Sequence, residues 1–196
     1  MANREKQLQK YIMEYSVQML EKQRKEIENI LKVQQNYIIK DILWIFHKLF
    51  QKASQNEGKK EVSYIVISFL NTGIVNGTIE LKIDLYNREI LFDENPITEY
   101  YEFHYFDEII KKDMESFKNY IERKMIRVKY QELCRYRRVC MIKYKSLMEE
   151  CIQVCIEVMI RLKSFLAMKK TDNIKIMYGE LMCKNTVLYE GIDSEK

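Results

Sequence analysis

From Asn3 to Lys52 the chain contains neither glycine nor proline, and its apolar residues return every three or four positions. They fall at Leu8, Tyr11, Ile12, Tyr15 and Met19, then at Ile27, Ile30, Leu31, Ile38, Ile42, Ile45, Phe46 and Leu49. That spacing predicts helix, because residues three and four apart share one side of a 3.6-residue turn. Unbroken, the stretch would be a rod of roughly 75 Å at 1.5 Å per residue, longer than a small core can cover. Either the rod projects and finds a partner, or it bends across the wholly polar Glu21–Glu26 segment. Gln55, Asn56, Glu57 and Gly58 supply its stop.

The apolar period then shortens. Ile79, Leu81, Ile83 and Leu85 alternate with Glu80, Lys82 and Asp84, the pattern of a strand with one wet face, whereas Val62–Leu70 is apolar on both faces. Asn76-Gly77 between them predicts a two-residue hairpin turn, and Gly73 a bulge. A third strand is expected over Glu89–Phe92, ended by Asn95-Pro96. Tyr100–Phe106 reads equally as strand or helix. Asp107 and Glu108 suit the first turn of a helix reaching about Met125, and a second helix is expected to run to about Met168. Whether a break separates these two helices stays open, since Ile126, Val128 and Tyr130 have strand spacing but no glycine or proline intervenes. Ile174–Tyr178 and Thr186–Tyr189 predict a closing hairpin.

The expected fold class is therefore α+β and helix-dominated. A long N-terminal helix and two long C-terminal helices form an antiparallel bundle with a small, three- to five-stranded antiparallel sheet. The 196 residues fit a single domain. Residues 1–58 form the long helix or helix pair, 61–106 an antiparallel meander, 107–168 helices, and 174–190 a short terminal hairpin.

The net charge of +4 conceals an asymmetry: +5 over residues 1–60, −8 over 61–110 and +7 over 111–196. Its sharpest expression is Arg123–Lys145, with nine Lys/Arg, the single acid Glu132, and interleaved Tyr130, Tyr136 and Tyr144. On one helix, Arg123, Lys124, Arg127, Arg135, Arg137, Arg138 and Lys145 would share roughly 160° of arc at about 100° per residue, opposite Met125, Ile126, Leu133, Tyr136 and Cys140. Such a face would suit an acidic protein, or nucleic acid with the cations on phosphates and Tyr130 or Tyr136 under bases. It would equally suit the solvated side of a long helix, or one neutralised by the acidic 61–110 segment.

Other chemistry lacks parts. Cys151 and Cys155 lie four apart beside Met148 and Met159, but no histidine or close cysteine pair completes a metal set, so core packing is the expectation. His104 lies near Glu102, Asp107 and Glu108, enough to draw an acid/base pair or a weak metal site, while His47 is remote beside Trp44 and Phe46. No phosphate loop, dinucleotide fingerprint, Gly-x-Ser-x-Gly or His-Glu-x-x-His occurs. Catalytic residues, metal, cofactor and small-molecule substrate are accordingly not expected. Five cysteines, an odd number, with a polar N-terminus and no long apolar run predict a soluble cytoplasmic protein, and Asn76-Gly77-Thr78 reads as a turn rather than a glycosylation acceptor. With few aromatic residues before Trp44, the N-terminal helix is expected to pack in a bundle rather than lie on a membrane, and no membrane partner is expected. The function expected is a non-enzymatic interaction module. It would self-associate as a homo-oligomer through Leu8–Met19 or Ile27–Leu49 and offer the basic helix to an acidic partner, the alternative being a nucleic-acid-binding protein.

Overall fold

The computed structural model describes residues 2–56, 58, 61–181 and 183–191; Glu57, part of the predicted stop, lies outside them. Along the chain come α1 (Ala2–Gln55), β1 (Val62–Phe69), α2 (Asn71–Asn76), β2 (Glu80–Tyr86), β3 (Ile97–Glu102), α3 (Asp107–Glu122), α4 (Tyr130–Met159), α5 (Lys163–Ala167), β4 (Lys170–Glu180) and β5 (Thr186–Glu190). The architecture is mixed α and β, dominated by helix.

α1 is one helix of 54 residues, about 80 Å long at 1.5 Å per residue. The polar Glu21–Glu26 segment does not break it, because Glu, Lys, Gln and Arg are strong helix formers. Gln23 within that segment turns inward and is buried, its Oε1 accepting a hydrogen bond from Lys143 Nζ at 3.2 Å. The N-terminal half buries Leu8, Ile12 and Tyr15, and the C-terminal half buries Ile38, Ile42, Ile45, Phe46, Leu49 and Phe50. Tyr15 meets Phe117 of α3 and Tyr136 of α4, whereas Phe50 meets Phe165 of α5. One rod thus spans a helical layer at one end and the sheet at the other.

The bundle is not antiparallel throughout. Arg4 pairs with Glu132, Glu5 with Arg135, and Gln23 with Lys143, so residue numbers rise together and α1 and α4 run the same way. α3 opposes α1: Asp113 meets Tyr15, Tyr120 meets Glu14 and Lys124 meets Tyr11. The sheet departs from expectation in the same manner. Its five strands lie in the order β3-β2-β1-β4-β5, and the central pair, β1 and β4, is parallel while the outer pairings are antiparallel. The two departures have one cause. α1 leads into β1, and α4 leads through the short α5 into β4, so two like-oriented helices feed two like-oriented strands.

Several local expectations are also corrected. Asn76-Gly77 is not a two-residue hairpin turn, because α2 fills the connection and Gly77, at φ +77°, is its left-handed cap, donating its N–H to the Gly73 carbonyl at 2.7 Å. Gly73 is buried in α2, where a Cβ would lie 2.4 Å from the Thr78 carbonyl oxygen. The strand expected at Glu89–Phe92 is a 3-10 turn over Ile90–Phe92, and the third strand is β3, paired with β2. A second 3-10 turn, His104–Phe106, leads into α3. The predicted closing hairpin is present as β4 and β5.

The helices gather on the sheet face that carries Ile65, Ile67, Leu81, Ile83, Leu85 and Ile176, all buried. Tyr178 on that face donates to the Lys145 carbonyl of α4 at 2.8 Å, and Glu99 receives Lys48 and Lys52 from α1. The opposite face bears Tyr64, Lys82, Asp84, Tyr86, Thr98 and Tyr100. Asp84 is fully buried there rather than wet. Its carboxylate accepts from Thr98 Oγ1 and from Tyr86 OH at 3.2 Å, with Lys82 Nζ at 3.0 Å.

Candidate interaction surfaces

Arg123–Lys145 is not one helix. α3 ends at Glu122 and α4 begins at Tyr130; the residues between form a tight corner in which Arg127 has φ +53°. No glycine is needed because α1 stabilises the corner from outside. Arg4 donates from Nη1 to the Ile126 carbonyl and from Nη2 to the Arg127 carbonyl, both at 3.1 Å, while its Nε reaches Glu132 at 2.7 Å. Glu132 in turn accepts the Lys129 backbone N–H at 2.8 Å, closing the first turn of α4. The Arg4 guanidinium holds the Glu132 carboxyl below its ordinary value against the opposing effect of burial.

The break redistributes the basic residues. Arg123 and Arg127 are exposed at the corner, and Lys124 Nζ lies 6.0 Å from the Tyr11 ring centroid and 5.8 Å from that of Tyr120. Along α4, Arg135 pairs with Glu5 at 2.8 Å, Arg137 donates to the Val75 carbonyl of α2, and Lys145 pairs with Glu180 at 2.8 Å. Arg138 is exposed with no acidic partner among the described residues. Tyr130 is exposed. Tyr136 is buried, its ring stacked on Phe117 with centroids 3.9 Å apart. The structure therefore keeps Arg123, Lys124 and Arg127 together and separates the remaining four cations along a second helix.

A second surface follows from the parallel course of α1 and α4. Between their N-terminal halves lies a groove of about 430 Å³, lined by Leu8, Ile12, Met13 and Val17 of α1 and by Arg135 and Val139 of α4. Val17 is 74% exposed and Met13 63%. One turn further along each helix, Leu20 and Ile142 are exposed too. Met13, Val17 and Leu20 stand at i, i+4 and i+7, the spacing with which one helix anchors in the groove of another. A hydrophobic residue exposed singly is ordinary, but a contiguous set on two neighbouring helices marks a contact surface.

Other polar groups are already engaged. His104 lies at a hollow of about 520 Å³ with Asp41, Trp44 and Tyr105. Its Nδ1 is 2.9 Å from Asp107 and its Nε2 3.3 Å from Glu102, so carboxylates occupy both ring nitrogens. Burial and the hydrogen bond it donates to Asp41 push the Tyr105 hydroxyl up to about 12. His47 Nδ1 is 2.9 Å from Ser164 Oγ. Cys151 is half-buried against the core and Cys155 is buried within it, burial pushing their thiols up to about 11 and about 12. Among the described residues no group of three or more His, Cys, Asp or Glu side chains is arranged to hold a metal ion.

A buried carboxylate escaped sequence reasoning. Asp113 of α3 is only 6% exposed and accepts hydrogen bonds from Tyr15 OH at 3.2 Å, from Tyr136 OH and from Cys140 Sγ at 3.3 Å. Burial, with the nearby Asp113 charge, pushes the Tyr15, Tyr136 and Cys140 groups well above their ordinary values, so all three remain protonated donors. The only signal available was an acid at a position of α3 that shares a face with Ile109, Ile110 and Phe117. This network ties α1, α3 and α4 together beneath the apolar groove. No family model, no curated protein and no solved structure matches the chain.

Proposed function

We propose that this protein is a non-enzymatic interaction module that self-associates through the groove between α1 and α4. The observation carrying the proposal is the exposed apolar set Met13, Val17 and Val139 at the groove, with Leu20 and Ile142 exposed one turn further along the same two parallel helices. Its occupant is a second copy of the chain, because the same surface supplies both halves of a helix-in-groove contact: a groove, and a ridge with anchor spacing to fill it. A self-complementary patch of this kind closes as a twofold dimer, in which each copy contributes the same residues.

Sedimentation velocity at micromolar concentration tests this directly. The wild-type chain is expected to sediment as a dimer and Val17→Glu as a monomer, since an unpaired charge trapped at such a contact weakens it by about 100-fold or more. Val17 is an exposed residue, so the variant should melt with the wild-type secondary structure intact. A compact wild-type monomer would sink the proposal, as would a dimer indifferent to Val17→Glu and Leu20→Glu together.

A further inference from the structure

The corner between α3 and α4 has a character that the self-association surface does not explain. Residues 123–130 carry Arg123, Lys124, Arg127 and Lys129 and no acid. At its apex Ile126 is 83% exposed, and Tyr130 beside it is 63% exposed. Met125, by contrast, is buried and takes the packing role for the turn, its N–H donating to the Ile121 carbonyl at 2.8 Å. Two features therefore coincide: a large aliphatic side chain whose burial contributes nothing to the fold, and a non-glycine residue, Arg127, in the left-handed region, which costs stability. Neither is accidental slack, because Arg4 hydrogen-bonds the carbonyls of both residues and fixes the corner against α1. Lys6 and Lys10 in the first turns of α1 are exposed as well, Lys10 lying 3.7 Å from Glu14.

We propose that this corner docks on an anionic lipid bilayer. Ile126 enters the boundary between headgroups and acyl chains, Tyr130 sits at headgroup level, and Arg123, Lys124, Arg127 and Lys129 meet lipid phosphates and carboxylates. The pairing of an apolar tip with a cationic collar is what a bilayer surface rewards, since its two layers offer charge first and hydrocarbon beneath. A nucleic acid would use the cations alone and leave the most protruding side chain, Ile126, against phosphate and water. This departs from the expectation of no membrane partner, which was argued on the aromatic-poor N-terminal helix and did not weigh the corner. No helix among the described residues is long and apolar enough to cross a membrane, so the contact is peripheral. It stands independently of self-association.

The test is cosedimentation of the full chain with vesicles of phosphatidylcholine containing about one third phosphatidylserine, and with pure phosphatidylcholine vesicles, at about 0.1 M salt. Binding to the anionic vesicles alone is expected, lost on raising salt to about 0.5 M. Ile126→Ser should weaken it about 10-fold, and Arg123→Ala with Arg127→Ala by at least as much. Ile126 makes no buried contact to lose, so circular dichroism should show Ile126→Ser folded, and the Val17→Glu variant separates any loss of avidity from loss of the corner. Absence of binding to the anionic vesicles overturns the proposal. So does binding unchanged by Ile126→Ser, and so does tighter, salt-sensitive binding to duplex DNA or RNA that ignores Ile126, which would instead make the corner a nucleic-acid surface.

Discussion

Replacing Tyr136 with phenylalanine isolates the buried Asp113 network, because the ring that stacks on Phe117 stays while one donor to the carboxylate disappears. Asp113 faces Tyr15, Tyr136 and Cys140 with no salt-bridging cation among the described residues, so hydrogen bonds satisfy its buried carboxyl group. A hydrogen bond to a charged group contributes about 1.5–3 kcal/mol, and the carboxylate left behind cannot recruit water at its buried position. Loss of about 2–3 kcal/mol follows, against a total stability on the order of 5–15 kcal/mol. For a domain of this size that lowers Tm by roughly 5–10 °C. Urea unfolding followed by circular dichroism measures the change, with an unchanged m-value showing that both end states are preserved. A second arm closes the cycle: Asp113→Asn removes the charge, and Tyr136→Phe in that background should cost less than half as much. A loss below about 0.5 kcal/mol, or full additivity in the double variant, would refute the reading of Asp113 as a buried hub that depends on these donors.

Two further predictions follow from the polar contacts. Glu132 and Glu99 both titrate below their ordinary value in the folded chain, Glu132 through Arg4, and Glu99 because hydrogen bonds from Lys52 and Lys48 outweigh the upward push of burial. A depressed carboxyl contributes stability that is present above the unfolded value of about 4.3 and is lost as pH falls through the folded value. Thermal melts from pH 6 to pH 3 should therefore decline, and Glu132→Gln should flatten part of that decline; an identical slope would remove the Arg4 clamp. Iodoacetamide at pH 8 should label exposed Cys183 in the native protein and leave the buried Cys140 and Cys155 intact until denaturant is added, as read by mass spectrometry.

Sequence reasoning succeeded where one local period decides the outcome. The N-terminal helix, the alternation along β2 and the β4–β5 hairpin were legible from spacing, and the start of α3 at Asp107 from its two leading acids. It failed where a partner remote in the chain decides. The corner at residues 123–129 is held by Arg4, more than a hundred residues earlier, and the strand spacing of Ile126, Val128 and Tyr130 left a break open without deciding it. Asn76-Gly77 carries two meanings, since a left-handed glycine ends a helix as readily as it makes a hairpin turn. The parallel β1–β4 pair depends on the direction of two helices, which periodicity does not encode. Asp84 looked solvated because alternation assigned it to the outer face, yet Thr98, Tyr86 and Lys82 bury it there. For the binding surfaces, the charge run was visible, but its division between a protruding corner and a helix whose cations mostly reach partners on other elements was not.

The central strand pair has a consequence for how the chain is made. Val62 of β1 meets Lys170 of β4, 108 residues later, so at synthesis rates of about 5–20 residues per second the first strand waits roughly 5–20 s for its neighbour. During that interval an almost wholly apolar strand, Val62–Phe69, presents an unpaired edge beside β2 as the nascent polypeptide leaves the ribosome. Long-range pairing of this kind is slow by nature. Cellular yield should hence respond to chaperone supply and translation speed more sharply than the finished molecule's stability would indicate.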